Sequence, residues 1–269
     1  MQHTKWIRSL SLITVAVAIG CGAKPEPAAA KSDAAAPAGQ RAVPALDSAP
    51  GAVTASAAGS ATITGKALFG GAAPAPVKIK MDADPVCQQQ HTAAVYMQEL
   101  VVNNGGLQNV FVYVKSGLEG KNFPTPTEPV VFDQSGCLYN PHVVGVQVNQ
   151  PFQILNSDAT LHNVNAKPTQ STPFNLAMPT KGMKIAKSFT KPEIMVPVKC
   201  NVHPWMHAYV GVVGHPFFAV TGADGAFTIT GLPAGTYTLE AWHEKLGTAT
   251  QTVTVADGQS SSVTFSFKG

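Results

Sequence analysis

Charge is scarce in this chain. Only 12% of its 269 residues are Asp, Glu, Lys or Arg, and the formal net charge is +3. Nucleic-acid binding needs a basic footprint, so this balance excludes nucleic acid as a partner. Beyond residue 20 no apolar run is long enough to cross a bilayer as a helix. No His-x-His pair is present, which excludes the trinuclear cluster of a multicopper oxidase. There is no Cys-x-x-Cys-His haem attachment, no Gly-x-Ser-x-Gly elbow and no His-Glu-x-x-His helix. The motifs give no footing for an enzyme, and the chain reads as a non-catalytic protein. Sustained 3.6-residue periodicity is also missing, which argues against a helical fold.

What is present begins with a leader. Lys5 and Arg8 supply a positive start, and Leu10 to Ile19 a short apolar stretch, too short to span a membrane. The stretch runs into Val17-Ala18-Ile19-Gly20-Cys21. This resembles the lipobox of bacterial lipoproteins, with Ala18 where leucine is commoner. The resemblance implies that residues 1–20 are a signal peptide, that Cys21 is lipidated, and that the protein is exported and anchored to a bacterial membrane, facing the periplasm or the exterior. The other reading is an ordinary cleaved signal with an incidental cysteine. Residues 21–60 are Ala-, Pro- and Ser-rich. They hold too little apolar surface to offset ordering entropy and read as an extended tether.

From about residue 61 short β-branched and aromatic runs recur between Gly, Pro and Asn-Gly breaks, among them 61–68, 110–114, 143–148, 194–198, 209–213 and 263–267. One short helix is expected within 86–99. The expected class is all-β, a sandwich or barrel. Residues 61–126 form an N-terminal β module, 127–214 a central one and 215–269 a C-terminal one. Asp224-Gly225-Ala226-Phe227-Thr228-Ile229 and Gly231-Leu232-Pro233-Ala234-Gly235-Thr236-Tyr237 resemble the second half of carboxypeptidase-regulatory-like, transthyretin-type sandwiches. Fifty-five residues are few for such a sandwich, and residues 61–85 look like its opening strands.

The densest chemistry lies in Cys200-Asn201-Val202-His203-Pro204-Trp205-Met206, with His162 upstream in Leu161-His162-Asn163-Val164. Two imidazoles, one thiolate and a thioether are the ligand set of a mononuclear blue-copper site. A binuclear copper centre would need a second cysteine in this loop, and there is only Cys200. The loop and the upstream His-Asn-Val resemble the cupredoxins, and the loop spacing is most similar to that of amicyanin. The resemblance covers roughly residues 127–214 and implies a Greek-key β-sandwich holding one type 1 copper. His162, Cys200, His203 and Met206 would bind it, with Met206 axial. Asn163 would hydrogen-bond across to the Cys200 loop, and Leu161 would turn its carbonyl toward the metal. His203 would project its edge through an apolar patch containing Pro204 and Trp205, where electrons enter and leave. The implied function is single-electron transfer with a redox protein such as a c-type cytochrome or an oxidoreductase. Two other readings stand beside it: a copper carrier or chaperone, and a structural envelope protein with a vestigial copper fold.

The chain has four cysteines. If Cys21 carries lipid and Cys200 metal, Cys87 and Cys137 remain to form a disulfide in an oxidising compartment. The rival is a disulfide at Cys200, which would abolish the copper site. The other histidines carry no motif. His142 and His215 read as structural, His207 as a surface or strand-start residue, His243 as the maker of a core hydrogen bond, and His91 has no evident role.

Overall fold

A computed structural model describes residues 59–269. The expected signal peptide, Cys21 and the tether up to residue 58 lie outside the described residues. Within them the strands are β1 (Ala61–Gly70), β2 (Val102–Asn103), β3 (Gly106–Leu107), β4 (Phe111–Ser116), β5 (Val130–Ser135) and β6 (Leu138–Asn140). There follow β7 (Val143–Gln147), β8 (Phe152–Asn156), β9 (His162–Ala166), β10 (Phe174–Met178), β11 (Lys184–Lys187) and β12 (Glu193–Lys199). The last six are β13 (His207–Val213), β14 (Phe218–Val220), β15 (Ala226–Leu232), β16 (Gly235–His243), β17 (Gly247–Val255) and β18 (Ser260–Lys268). One helical turn and a half, α1 (Pro85–Gln89), interrupts the run between β1 and β2. The fold is all-β.

Four sheets pair into two sandwiches. The first has β10-β9-β12-β13-β7 facing β11-β8-β5-β6, with Phe132, Phe152, Ile154, Val164, Val196 and Val210 between them. In the second, β15 and β3 pair with one edge of β1 and β18 with the other; β14-β4-β16-β17 faces them. Ile63, Leu107, Val112, Phe227, Leu239 and Phe265 fill that core. In β18, Val263, Phe265 and Phe267 turn inward while the intervening Ser and Thr face water, the period-2 pattern of a strand with one wet face.

The first and last strands of the described chain therefore share one sheet, with β1 parallel to β18 from Thr62 to Lys268. The segment 61–126, expected as a single module, is divided. Strands β1 to β4 belong to the second sandwich, whereas Ile79, Met81 and Cys87 pack into the core of the first. The expected helix within 86–99 is shorter and starts earlier, at Pro85. The chain then turns back so that Lys78 bridges Tyr96.

β7 reads Val-Val-Gly-Val-Gln and is buried at every position. Such strands are covered on both faces. Val144 and Val146 point into the first core, and Val143 joins Phe111, Tyr113, Met195 and Val213 between the sandwiches. There Gly145 of β7 and Gly211 of β13 are cross-strand partners. The Phe111 ring lies on both: a Cβ added to Gly211 would come within 2.5 Å of Phe111 Cζ. That ring is fully buried, so it has nowhere to yield. Gly211→Val is expected to cost about 3 kcal/mol by overpacking. Gly214→Ala, where a Cβ meets nothing within 4 Å, should stay within about 0.5 kcal/mol of the parent. Thermal unfolding of the two variants checks the contrast.

Candidate metal centre

The ligand loop between β12 and β13 is closed by its own backbone. Cys200 N–H donates to the Met206 carbonyl at 3.0 Å and Met206 N–H to the His203 carbonyl at 2.9 Å. This turn faces Cys200 and His203 toward the same space, against the first residue of β9, His162. The two Nδ1 atoms of His162 and His203 lie 2.9 Å apart, and Cys200 Sγ lies 3.8 Å from His203 Nδ1. All three donor atoms fall within 4.8 Å of one another. Cys200 is a free, buried thiol, and His162, His203 and Met206 are at most 2% exposed.

Each imidazole is oriented by a carboxylate on its far nitrogen. His162 Nε2 donates to Asp158 Oδ2 at 2.8 Å, and His203 Nε2 to Asp84 Oδ2 at 3.0 Å. A carboxylate only accepts, so both rings carry a proton on Nε2 and turn Nδ1 toward Cys200, to which it donates when the ring is charged. The carboxylates are themselves held. Asp158 takes the amides of Gly136 and Cys137 at 2.9 and 2.8 Å. Those two residues form the β5–β6 turn, both with positive φ (65° and 54°). Asp84 divides its oxygens: Oδ1 caps α1 through the Val86 and Cys87 amides, and Oδ2 takes His203 and, at 2.8 Å, the Thr160 hydroxyl.

These contacts set the electrostatics. Burial pushes the Cys200 thiol up, but hydrogen bonds from His162, His203 and backbone amides outweigh it and hold it at about 5. Burial pushes His162 down, and the Asp158 and Cys200 contacts lift it to about 9. His203 is raised against burial by Cys200 and Asp84, and Asp84 is held at about 2, against its own desolvation, by His203, Thr160 and the α1 amides. The thiol is thus ready to ionise at neutral pH, the form that binds metal.

The other expected residues fall as follows. Asn163 Oδ1 accepts the Asn201 amide at 2.5 Å, tying β9 to the ligand loop. Leu161 is 43% exposed. Cys87 and Cys137 form a disulfide, with Cys87 Sγ 3.5 Å from His203 Nε2. Trp205 lies tilted beside His203, ring centroids 5.0 Å apart, and its indole N–H donates to the Cys137 carbonyl at 3.0 Å. The expectation that His203 projects its edge through an apolar patch is corrected. The ring is 2% exposed because Asp84, the disulfide and Trp205 cover that edge. Pro204 remains exposed, and so does Val202 at 44%.

Asp84, Asp158 and Thr160 were not read from the sequence. Asp158 stands four residues before His162, and Asp84-Pro85 is a helix-start signal. Neither pattern reveals a partner: Asp84 meets a ring 119 positions away.

The donor set fits a type 1 copper ion. Two nitrogens ~2.0 Å from one first-row ion stand about 3 Å apart, the spacing of the two Nδ1 atoms. A buried low-pKa thiolate joins them, and Met206 is buried in the same loop.

The sequence matches the carboxypeptidase regulatory-like domain family over residues 203–268, most of the second sandwich's C-terminal part together with the end of the ligand loop. No curated protein matches the chain. Among solved structures it is similar to a Cu-containing nitrite reductase (NirK) from Thermus scotoductus SA-01, at 23% identity and a TM-score of 0.30, over 35% of this chain and 24% of that one. The chain thus spans about a quarter of that reductase's length. It is similar to a purple cupredoxin from Nitrosopumilus maritimus at 18% identity and a TM-score of 0.27, over 30% of this chain and 97% of that one. A P94A mutant of amicyanin aligns at 24% identity and a TM-score of 0.28, over 31% of this chain and 81% of that one.

Proposed function

We propose that this chain is an electron carrier of the bacterial cell envelope, anchored through Cys21, that holds one copper ion at His162, Cys200, His203 and Met206 and exchanges single electrons with a redox protein. The observation that carries the reading is the convergence of His162 Nδ1, His203 Nδ1 and the free thiol of Cys200 within 4.8 Å. Copper supplies a one-electron couple when bound. The protein's part is to hold the ligands still. Asp158 and Asp84 fix the tautomer and direction of the two rings, Asn163 fixes the loop bearing the thiolate, and the buried surroundings exclude water. Little reorganisation is then needed when charge changes. Electrons would pass at the exposed apolar residues flanking the ligands, Leu161, Val202 and Pro204, rather than at the covered edge of His203. Redox encounters use small, weak interfaces, which suits such a patch.

The same cover speaks against a carrier that hands its metal on. His203 is closed in by a carboxylate, an indole and a disulfide, and release would require moving all three.

Adding one equivalent of Cu(II) to the metal-free chain should produce an intense thiolate-to-copper band, absent from Cys200→Ser. A colourless wild-type protein would sink the reading. Met206→Leu should keep the band and raise the reduction potential, because a weak donor to Cu(II) is lost. A lowered potential would remove Met206 from the ligand set.

A further inference from the structure

Two histidines outside the copper set, His142 and His207, meet two carboxylates. His142 Nε2 contacts Glu244 Oε1, and both side chains are 4% exposed. His207 Nε2 lies 3.4 Å from Glu244 Oε2 and 3.4 Å from Glu99 Oε1. Yet this nitrogen is buried and, at 3.4 Å from each oxygen, forms no hydrogen bond. Buried polar atoms without a partner are rare and call for an explanation. The His142, His207 and Glu244 donor atoms all fall within 4.8 Å of one another.

The 3.4 Å between His207 and Glu244 is the spacing of ligands around a shared ion, and His142, in direct contact with Glu244, would part from it to admit the ion. In a tetrahedral site with bonds of about 2.0–2.1 Å, donor atoms stand about 3.3 Å apart. Glu99 stands outside this group: its Oε2 holds Lys245 Nζ at 2.8 Å, and only its Oε1 approaches His207. The three side chains come from both sandwiches. His142 and His207 precede and open β7 and β13 of the first, and Glu244 sits in the β16–β17 turn of the second.

We propose that His142, His207 and Glu244 form a second metal site, a three-ligand centre for a divalent cation of the zinc type that fastens the two sandwiches together. The donor set has no sulfur. Two imidazoles and one carboxylate suit Zn²⁺ and are a poor match for Cu(I). Three protein ligands leave the fourth position to a water, and because they come from different sandwiches the ion would join the two. His207 directly follows Met206, and both side chains line one small cavity with His142. A metal here would therefore also steady the strand that follows the copper loop.

The test uses the full chain, stripped of metal and titrated with Zn²⁺, with bound zinc counted by elemental analysis after desalting. Cys200→Ser removes thiolate binding at the first centre; it should still hold one equivalent of zinc, and zinc should raise its melting temperature. Adding Glu244→Gln to that background should weaken zinc binding by at least about 100-fold, since even losing a group that only orients a ligand costs 10–100-fold. His207→Gln, scored the same way, guards against a Glu244→Gln protein that fails to fold. A folded Cys200→Ser protein that binds no zinc overturns the proposal. So does zinc binding that is unchanged in either added variant. The Cu(II) colour of the wild type reports only on Cys200, so a protein that stays colourless yet binds zinc at Glu244 would retain this site while removing the electron-carrier reading.

Discussion

Replacing both Cys87 and Cys137 by serine should lower the melting temperature by roughly 8–16 °C. The bridge closes a loop with a sequence separation of 50, worth about 4 kcal/mol in the chain-entropy model. For a domain of about 200 residues each kcal/mol moves the midpoint by roughly 2–4 °C. The bridge also has a local task. It ties α1, and with it Asp84, to the β5–β6 turn whose amides hold Asp158. Both carboxylates that orient the ligand rings therefore depend on it. The same variant should release copper to a chelator about 10–100-fold more readily, the usual cost of loosening groups that orient a ligand. Calorimetry and a chelator competition read the two effects. A drop in melting temperature with unchanged copper retention would show that Asp84 and Asp158 stay in place without the bridge.

What the sequence reveals here follows from how local each signal is. The strands around 143–148, 209–213 and 263–267 announce themselves through β-branched and aromatic runs, because those side chains fill a pleated surface. β9, with the sequence His-Asn-Val-Asn-Ala, and β11, Lys-Ile-Ala-Lys, carry no such signal. They are strands because β10 and β12 flank the first and β8 pairs with the second, and tertiary pairing overrides weak propensity. The site divides along the same line. The spacing of Cys200, His203 and Met206 is fixed within one loop, so the motif is legible. Asp84 reaches His203 only because residues 78–97 fold over the end of the first sandwich, and no short-range pattern encodes that. The same fold-over covers the ring edge that the family resemblance leaves open. His142 and His207 carry no motif for an analogous reason: Glu244, their shared partner, belongs to the other sandwich.

Acid should destabilise the metal-free chain well before its carboxylates titrate, and His215 and His243 should be the cause. Burial pushes both imidazoles down to about 4. Their hydrogen bonds agree. His215 Nε2 donates to the Val114 carbonyl at 2.9 Å, while its Nδ1 accepts the Phe217 amide at 3.2 Å. His243 Nδ1 accepts the Lys245 amide at 3.2 Å, and its Nε2 is buried without a partner. A proton added to either Nδ1 would set one N–H against another. The unfolded chain, with histidines near 6.5, therefore binds more protons than the folded one between pH 4 and 6.5. Stability in that range rises with pH. The contribution is fully present above about 6.5 and lost as pH falls toward 4. Between pH 6 and 4.5 each histidine should cost about 1.5–2 kcal/mol, or about 3–4 kcal/mol for the pair. His162, raised to about 9, has the opposite sign, but its stabilisation is largely in place below 6.5 and fades only as pH rises through 9. Asp84 and Glu244, each held at about 2, lose theirs mainly below 4.5. Cys200, held at about 5, loses stabilisation in the same window and with the same sign, about 1 kcal/mol, so the two histidines supply the larger part of the fall from pH 6 to 4.5. Melting temperatures across it should fall steeply in the wild type and much less in His215→Gln/His243→Gln. The slope is the measurement, so a lower absolute stability of the variant does not obscure it. A double variant with the wild-type slope would show that these buried rings are not the acid-sensitive groups of the fold.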